Sequence, residues 1–220
     1  MEFDGFMEVL PRVLPIFKNH SSILMPRAQL PVALSEEDYA EASSEVFEGN
    51  IVAVIQPAPF RPRSVGDAAK SFDTGCAGKI TDITMAGSNV NINIQGICRF
   101  DVIGMLPPDC SGCERILVDY TPYSIDVSGG ENAEEGVDRG RLMAALEVYF
   151  KRLSISPNWK EIEKTPVDVL VSALAMACPF HPSEKQSLLE TVDLKDRSDM
   201  ITKLIEMNSF DRFHTANTIN

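Results

Sequence analysis

The residues best suited to chemistry fall in two short pairs, "CSGC" at 110–113 and "CPFH" at 178–181. Thiolates and imidazole bind zinc tetrahedrally, so Cys110, Cys113, Cys178 and His181 supply the four ligands of a Cys3His site. Cys110 and Cys113 alone have the spacing of a redox pair. Two features weigh against both chemistries. The second pair encloses a proline and sits in the other half of the chain, and no strand-helix pattern of a thioredoxin type surrounds the first. The reading is a loop with free thiols, with no metal and no cofactor. The five cysteines are odd in number and scattered through a chain that is 44% hydrophobic, which fits reduced thiols better than a disulfide framework.

Other catalytic constellations are no better supplied. A nucleophilic serine needs a base, and the three histidines, His20, His181 and His214, fall in a loop, an interhelix turn and the C-terminal end. "GCAGKI" (75–80) resembles a phosphate-binding loop only in part, because the glycine spacing is short and no Ser or Thr follows Lys79. No Ser-Lys or Ser-His-Asp arrangement is recognisable, so the chain is not expected to be an enzyme. A small hydrolase would need titratable groups converging in one pocket.

Charge narrows the partners. The formal net charge is −12, and the first 130 residues are the more acidic part. An RNA-binding module would need a basic groove with stacking aromatics, so nucleic acid is disfavoured. No apolar run reaches the roughly 20 residues of a membrane span, and "MEFDGFMEVL" carries acids where a secretory signal carries bases. The expected location is the cytoplasm, away from membranes.

The elements that position these residues fall into two sets, giving an α+β chain. Through about residue 125 the sequence offers short runs rich in Ile, Val and Phe at 12–17, 50–57, 75–85, 89–95, 97–105 and 115–120. In "NVNINIQ", Val90, Ile92 and Ile94 face one way and Asn91, Asn93 and Gln95 the other, which predicts a strand buried on one side. "AGSN" (86–89) has hairpin-turn chemistry. Ser35 and Asp38 read as a capping box for a helix over "EEDYAEASSEVF". From residue 137 the period becomes helical. Leu142, Ala145, Leu146, Tyr149, Phe150 and Leu153 form one stripe, and Met143, Met176, Met200 and Met207 sit at core spacing. Thr165-Pro166 and Ser183 with Gln186 are read as the starts of two further helices. The expected division is a β domain at 1–127, a flexible acidic and Gly-rich linker at 128–138, and helices at 139–220.

Several stretches, in order, carry a resemblance: "LPIF" (14–17), "ILMPRAQLPVAL" (23–34), "IVAVIQP" (51–57), "GKITDI…NINIQGICRFDVIGM" (78–105) and "EKQSLLETVDLKDRSDMITKLI" (184–205). Together they are similar to the N-terminal substrate-binding domain of Lon proteases. The resemblance implies a PUA-like β pseudo-barrel followed by a C-terminal helical bundle. It also implies a non-catalytic module that binds unfolded or misfolded protein segments or docks on a protease or chaperone, standing alone without ATPase and peptidase domains. Within it, Gly96 is read as a strand glycine that bends or bulges a barrel corner. Phe100 then returns to the core, and Arg99 points outward or caps the barrel end. A second expectation concerns the loop 58–72, where Phe60 and Phe72 bracket Arg61, Arg63 and Lys70. Aromatics beside cations form a grip for an unfolded peptide; the alternative is that both phenylalanines pin the loop to the barrel.

Overall fold

The computed structural model describes residues 10–18, 22–41, 51–57, 72–107, 113–128 and 135–215. Among them are six strands: β1 (Val13–Lys18), β2 (Gln29–Ser35), β3 (Ile51–Ile55), β4 (Thr74–Ala86), β5 (Asn89–Leu106) and β6 (Arg115–Asp119). The helices are α1 (Glu36–Glu41), α2 (Ile125–Ser128), α3 (Arg139–Arg152), α4 (Trp159–Lys164), α5 (Val167–Ala177), α6 (Pro182–Glu190) and α7 (Leu194–Thr215). The sheet order is β2-β5-β4-β3-β1-β6, and β6 pairs back onto β5. Five strands therefore close on one another, while β2 joins the first half of β5 from outside. β1 and β3 run parallel; the other pairs are antiparallel.

The expectation of two strands at 89–95 and 97–105 is corrected: they are one strand of 18 residues. Gly96 does not break it, because the irregularity is taken up as a bulge. Ala77 pairs with Cys98 and Gly78 with Gly96, leaving Ile97 as the extra residue. β2 is a strand the local sequence does not announce. Its buried Leu30 is flanked by exposed Gln29 and Pro31, a sequence with little β-branched content to announce it. Gly87, at φ +64, makes the β4–β5 turn where a Cβ would be strained.

Helix starts also moved. α6 is capped by His181, not Ser183: the backbone N–H of His181 donates to Glu184 Oε2 at 2.7 Å, and Ser183 N–H donates to His181 Nδ1. Pro182 pre-sets the first turn, which shifts the box two residues toward the N-terminus. α5 begins at Val167 with Pro166 as its cap residue, one position later than the Thr165-Pro166 reading. Leu153 and Met207, predicted on core stripes, are exposed, whereas Met143, Met176 and Met200 pack against the core.

Three apolar clusters fill the interior. One lies at the first half of the sheet, around Val90, Ile92 and Ile94. A second, around Phe100, Ile116 and Val118, takes Ala53, Ile55 and Ala77 where the first takes Val52, Val54 and Cys76, so it lies on the other face of β3 and β4. The third belongs mainly to α3, α5, α6 and α7, yet it includes Ile23 and Met25 from the segment before β2. The residue between them, Leu24, joins the sheet cluster instead. An extended stretch of three residues thus serves two cores by alternation.

Candidate functional site

Gly96, Arg99 and Phe100 lie where the segment 22–28 crosses β5. Gly96 N–H donates to Ala28 O at 2.9 Å, and Arg27 N–H donates to Gly96 O at 2.9 Å. A Cβ on Gly96 would be driven into the carbonyl of Met25, so only glycine lets the two backbones approach this closely. Past the bulge three consecutive residues, Cys98, Arg99 and Phe100, are buried, because both faces of the strand are covered there. Phe100 enters the ring and meets Tyr120 edge-on at 6.2 Å. Arg99 leaves the opposite face.

Arg99 goes to the helices. Its side chain is 0% exposed. Nε and Nη2 donate to the two carboxylate oxygens of Asp126 at 2.8 and 2.7 Å, a bidentate fork. Nη1 donates to Leu189 O at 3.0 Å and Thr191 O at 2.6 Å, and Nη2 also reaches Val192 O at 3.4 Å. The guanidinium carbon sits 4.7 Å from the Tyr123 ring centre. Arg197, from the first turns of α7, donates to Thr191 O and Val192 O from the other side. Burial and the neighbouring Arg99 cation push the Arg197 pKa down to about 10. The last carbonyls of a helix have no partner within it and carry partial negative charge, so two arginines at the end of α6 answer both needs.

The rest of α6 is fastened similarly. Gln186 Nε2 donates to Thr74 O at 3.1 Å, and Gln56 Nε2 donates to Pro182 O at 2.7 Å. Lys185, whose pKa is lowered by burial, donates to Met176 O at 2.9 Å. The "KQSLLE" helix and the "DLKDR" turn therefore form, with Arg99, a joint between sheet and helices. Every guanidinium donor of Arg99 is used internally, so this constellation holds the fold and offers nothing to a ligand.

Of the remaining expected site residues, the described ones are spread over separate parts of the fold. Phe60, Arg61, Arg63 and Cys110 lie outside the described residues, as does most of the 128–138 linker. Phe72 is half-buried, and its N–H donates to Gln56 O at 3.2 Å. Cys113 is buried in the sheet cluster, Cys178 in the helical cluster, and His181 is an exposed helix cap. Among the described residues no group of three or more His, Cys, Asp and Glu stands close enough to hold a metal ion. Burial pushes the Cys178 thiol up to about 11 and the Cys98 thiol, with Asp126 adding repulsion, up to about 12. No described helix is long and apolar enough to cross a membrane.

What sequence reasoning missed is an exposed apolar strip on the β4–β5 hairpin. Ile83 and Met85 are 38% and 64% exposed, beyond the end of β3. The signal was present in "ITDITM", where Ile80, Ile83 and Met85 do not keep strict alternation because Thr81 is a bulge residue between Ile80 and Asp82.

Comparison with known proteins agrees with this architecture. Among solved structures, the N-terminal domain of the Mycobacterium avium complex Lon protease aligns with a TM-score of 0.53 at 17% identity, covering 88% of this chain and 97% of that one. The Lon N-terminal domain protein from Xanthomonas campestris also gives 0.53 at 17% identity, covering 87% and 97%. Among curated sequences, Lon protease 2 of Myxococcus xanthus is 24% identical over 214 residues, and a Lon protease of Desulfosudis oleivorans 25% identical over 209. These alignments cover 90% and 91% of this chain but 24% of each relative, so the chain spans about a quarter of their length. The family model for the ATP-dependent protease La (LON) substrate-binding domain matches residues 13–207, and the chain belongs to that family.

Proposed function

We propose that this chain is a non-catalytic recognition or adaptor module that binds unfolded or exposed apolar segments of other proteins and presents them to a protease or chaperone. The observation that carries the reading is the family match across residues 13–207, which names a substrate-binding domain. Large apolar side chains left in solvent on strands, among them Met85, Ile103 and Met105, add physical support, since such surface is costly to leave uncovered without a use. In this reading the closed ring of strands is a PUA-like pseudo-barrel, α3 to α7 form the helical bundle, and the 58–72 loop grips substrate through Phe60, Arg61, Arg63 and Phe72. The test is a titration of the purified chain with a labelled unfolded protein, with a Phe60→Ala/Phe72→Ala variant and single-stranded RNA beside it. Saturable binding of the unfolded protein, weaker in the variant and absent for RNA, is expected. Binding of RNA alone, or of neither, defeats the proposal.

A further inference from the structure

β4 and β5 run past the ring as a hairpin, and its register pairs Ile83 with Ile92 and Met85 with Val90. Directly paired residues share a sheet face. On that face Val90 and Ile92 are sealed, at 0% and 1% exposure, within a cluster against which Tyr39 of α1 packs, while Ile83 and Met85 stay open. The apolar core thus continues outward onto an uncovered strip. β3 pairs with β4 only between Cys76 and Lys79, and no other described strand adjoins β4 on that side. Residues 81–86 are therefore a sheet edge among the described residues. Natural edges are commonly blunted by charged side chains, Pro or bulges; the bulge at Thr81 and the charge of Asp82 stand at one end of "TDITMA", and 83–86 carry none of these devices.

We propose that this edge receives an extended segment of a substrate protein as an added strand, with apolar residues at alternate positions and basic or polar residues between them. The inference rests on the proposed function and gives it a site and a substrate class. Three observations select this occupant. Open backbone N–H and C=O groups along an edge are satisfied in register only by another strand. Ile83 and Met85 are two residues apart, so an incoming chain meets them with the same period of two. Asp82 and Thr84 occupy the other face, joined by a hydrogen bond of 3.0 Å, and Asp82 favours a cation opposite. A strip two side chains wide also falls far short of the roughly 800 Å² per partner of a stable interface between folded copies.

The experiment uses the full chain and a short labelled peptide alternating Val and Leu with Lys and Thr. It is compared with a scrambled version whose apolar residues are contiguous, and with two versions N-methylated on the amides of one edge or of the other. An Ile83→Lys/Met85→Lys variant, with its thermal unfolding checked against the parent, is titrated alongside. The parent chain is expected to bind the alternating peptide saturably and at least about tenfold more tightly than the variant does, the scale of losing two apolar contacts. N-methylation of one edge, but not the other, is expected to abolish binding. Equal binding by the variant, equal binding of both N-methylated peptides, or a dimer that the variant dissolves overturns the inference. Unfolded protein bound equally by parent and variant removes this site and leaves the proposed function standing. Peptide binding without any binding of unfolded protein does the reverse.

Discussion

Arg99 is a fully buried cation whose donors are all engaged. A bidentate ion pair without solvent is expensive to break, since removing one partner strands a buried charge. Asp126→Asn is expected to destabilise the chain by about 3–5 kcal/mol in urea denaturation. Arg99→Met combined with Asp126→Leu is expected to cost less than the sum of the single changes, because neither charge is then left alone. A smaller effect of opposite sign belongs to Ser154, which holds φ +56 just after α3. Its N–H donates to Lys151 O, and that of Ile155 to Phe150 O, a Schellman cap normally built on glycine. Ser154→Gly is expected to stabilise by about 0.5–1 kcal/mol, read as a raised Tm. The thiols set an alkaline limit. In the unfolded chain cysteine ionises near its ordinary value of 9.0, whereas Cys178 holds its proton to about 11 and Cys98 to about 12. Folded pKa values above unfolded ones mean that stability is full below pH 9 and falls between pH 9 and 12. Denaturant midpoints measured across that range are expected to drop, and native Cys98 is expected to resist alkylation until the chain unfolds. At this scale the sequence was partly legible. "GICRF" marked Gly96 as a special position, but the extra residue is Ile97 and the glycine serves the close crossing of Met25. Nothing local shows that Arg99 is covered, because its partners lie 27 and about 90 residues further along.

Among the elements, β5 shows why register decides faces. The extra residue Ile97 is what lets Arg99 point to the helices and Phe100 into the ring on the same strand. Deleting Ile97 shifts every later residue by one and exchanges the two faces, so the deletion variant is expected to lose its cooperative unfolding transition in far-UV circular dichroism. The hairpin turn and the alternation at 90–94 could be read directly, since both depend on neighbouring residues. The continuity of β5 could not, because pairing with β4, β2 and β6, not local propensity, carries the strand through Gly96. The cap of α6 was misread for a related reason. Ser183 is a good cap residue by type, but Pro182 fixes the first turn ahead of it, and His181 takes the role.

For the whole molecule, the joint and the shared core bind sheet and helices into one body. Ile23 and Met25 sit among helical residues, and α6 is held by Gln56, Thr74 and Arg99 from the strand side. Trp159, the single tryptophan, packs against Phe150 in the helical half. Its fluorescence and the near-ultraviolet signal of the tyrosines around Arg99 are expected to change at the same urea concentration. A fragment limited to residues 139–220 is expected to stay molten, since it lacks Ile23, Met25 and the guanidinium that ends α6. The sequence showed the change of period near residue 137, and with it two kinds of secondary structure. It did not show that a stretch before β2 completes the core of the second kind, because that contact spans well over a hundred residues.

That crossing stretch also sets an order in time. Residues 22–28 leave the ribosome well before the last helical partners of Ile23 and Met25, including Ile201 and Ile205, which are made some 180 residues later. At about 5–20 residues per second, the two apolar side chains wait on the order of 10–40 s before their surroundings exist. During synthesis the nascent chain is thus itself an exposed apolar segment, and early engagement by a chaperone at Ile23–Met25 would guard the step on which the final joint depends.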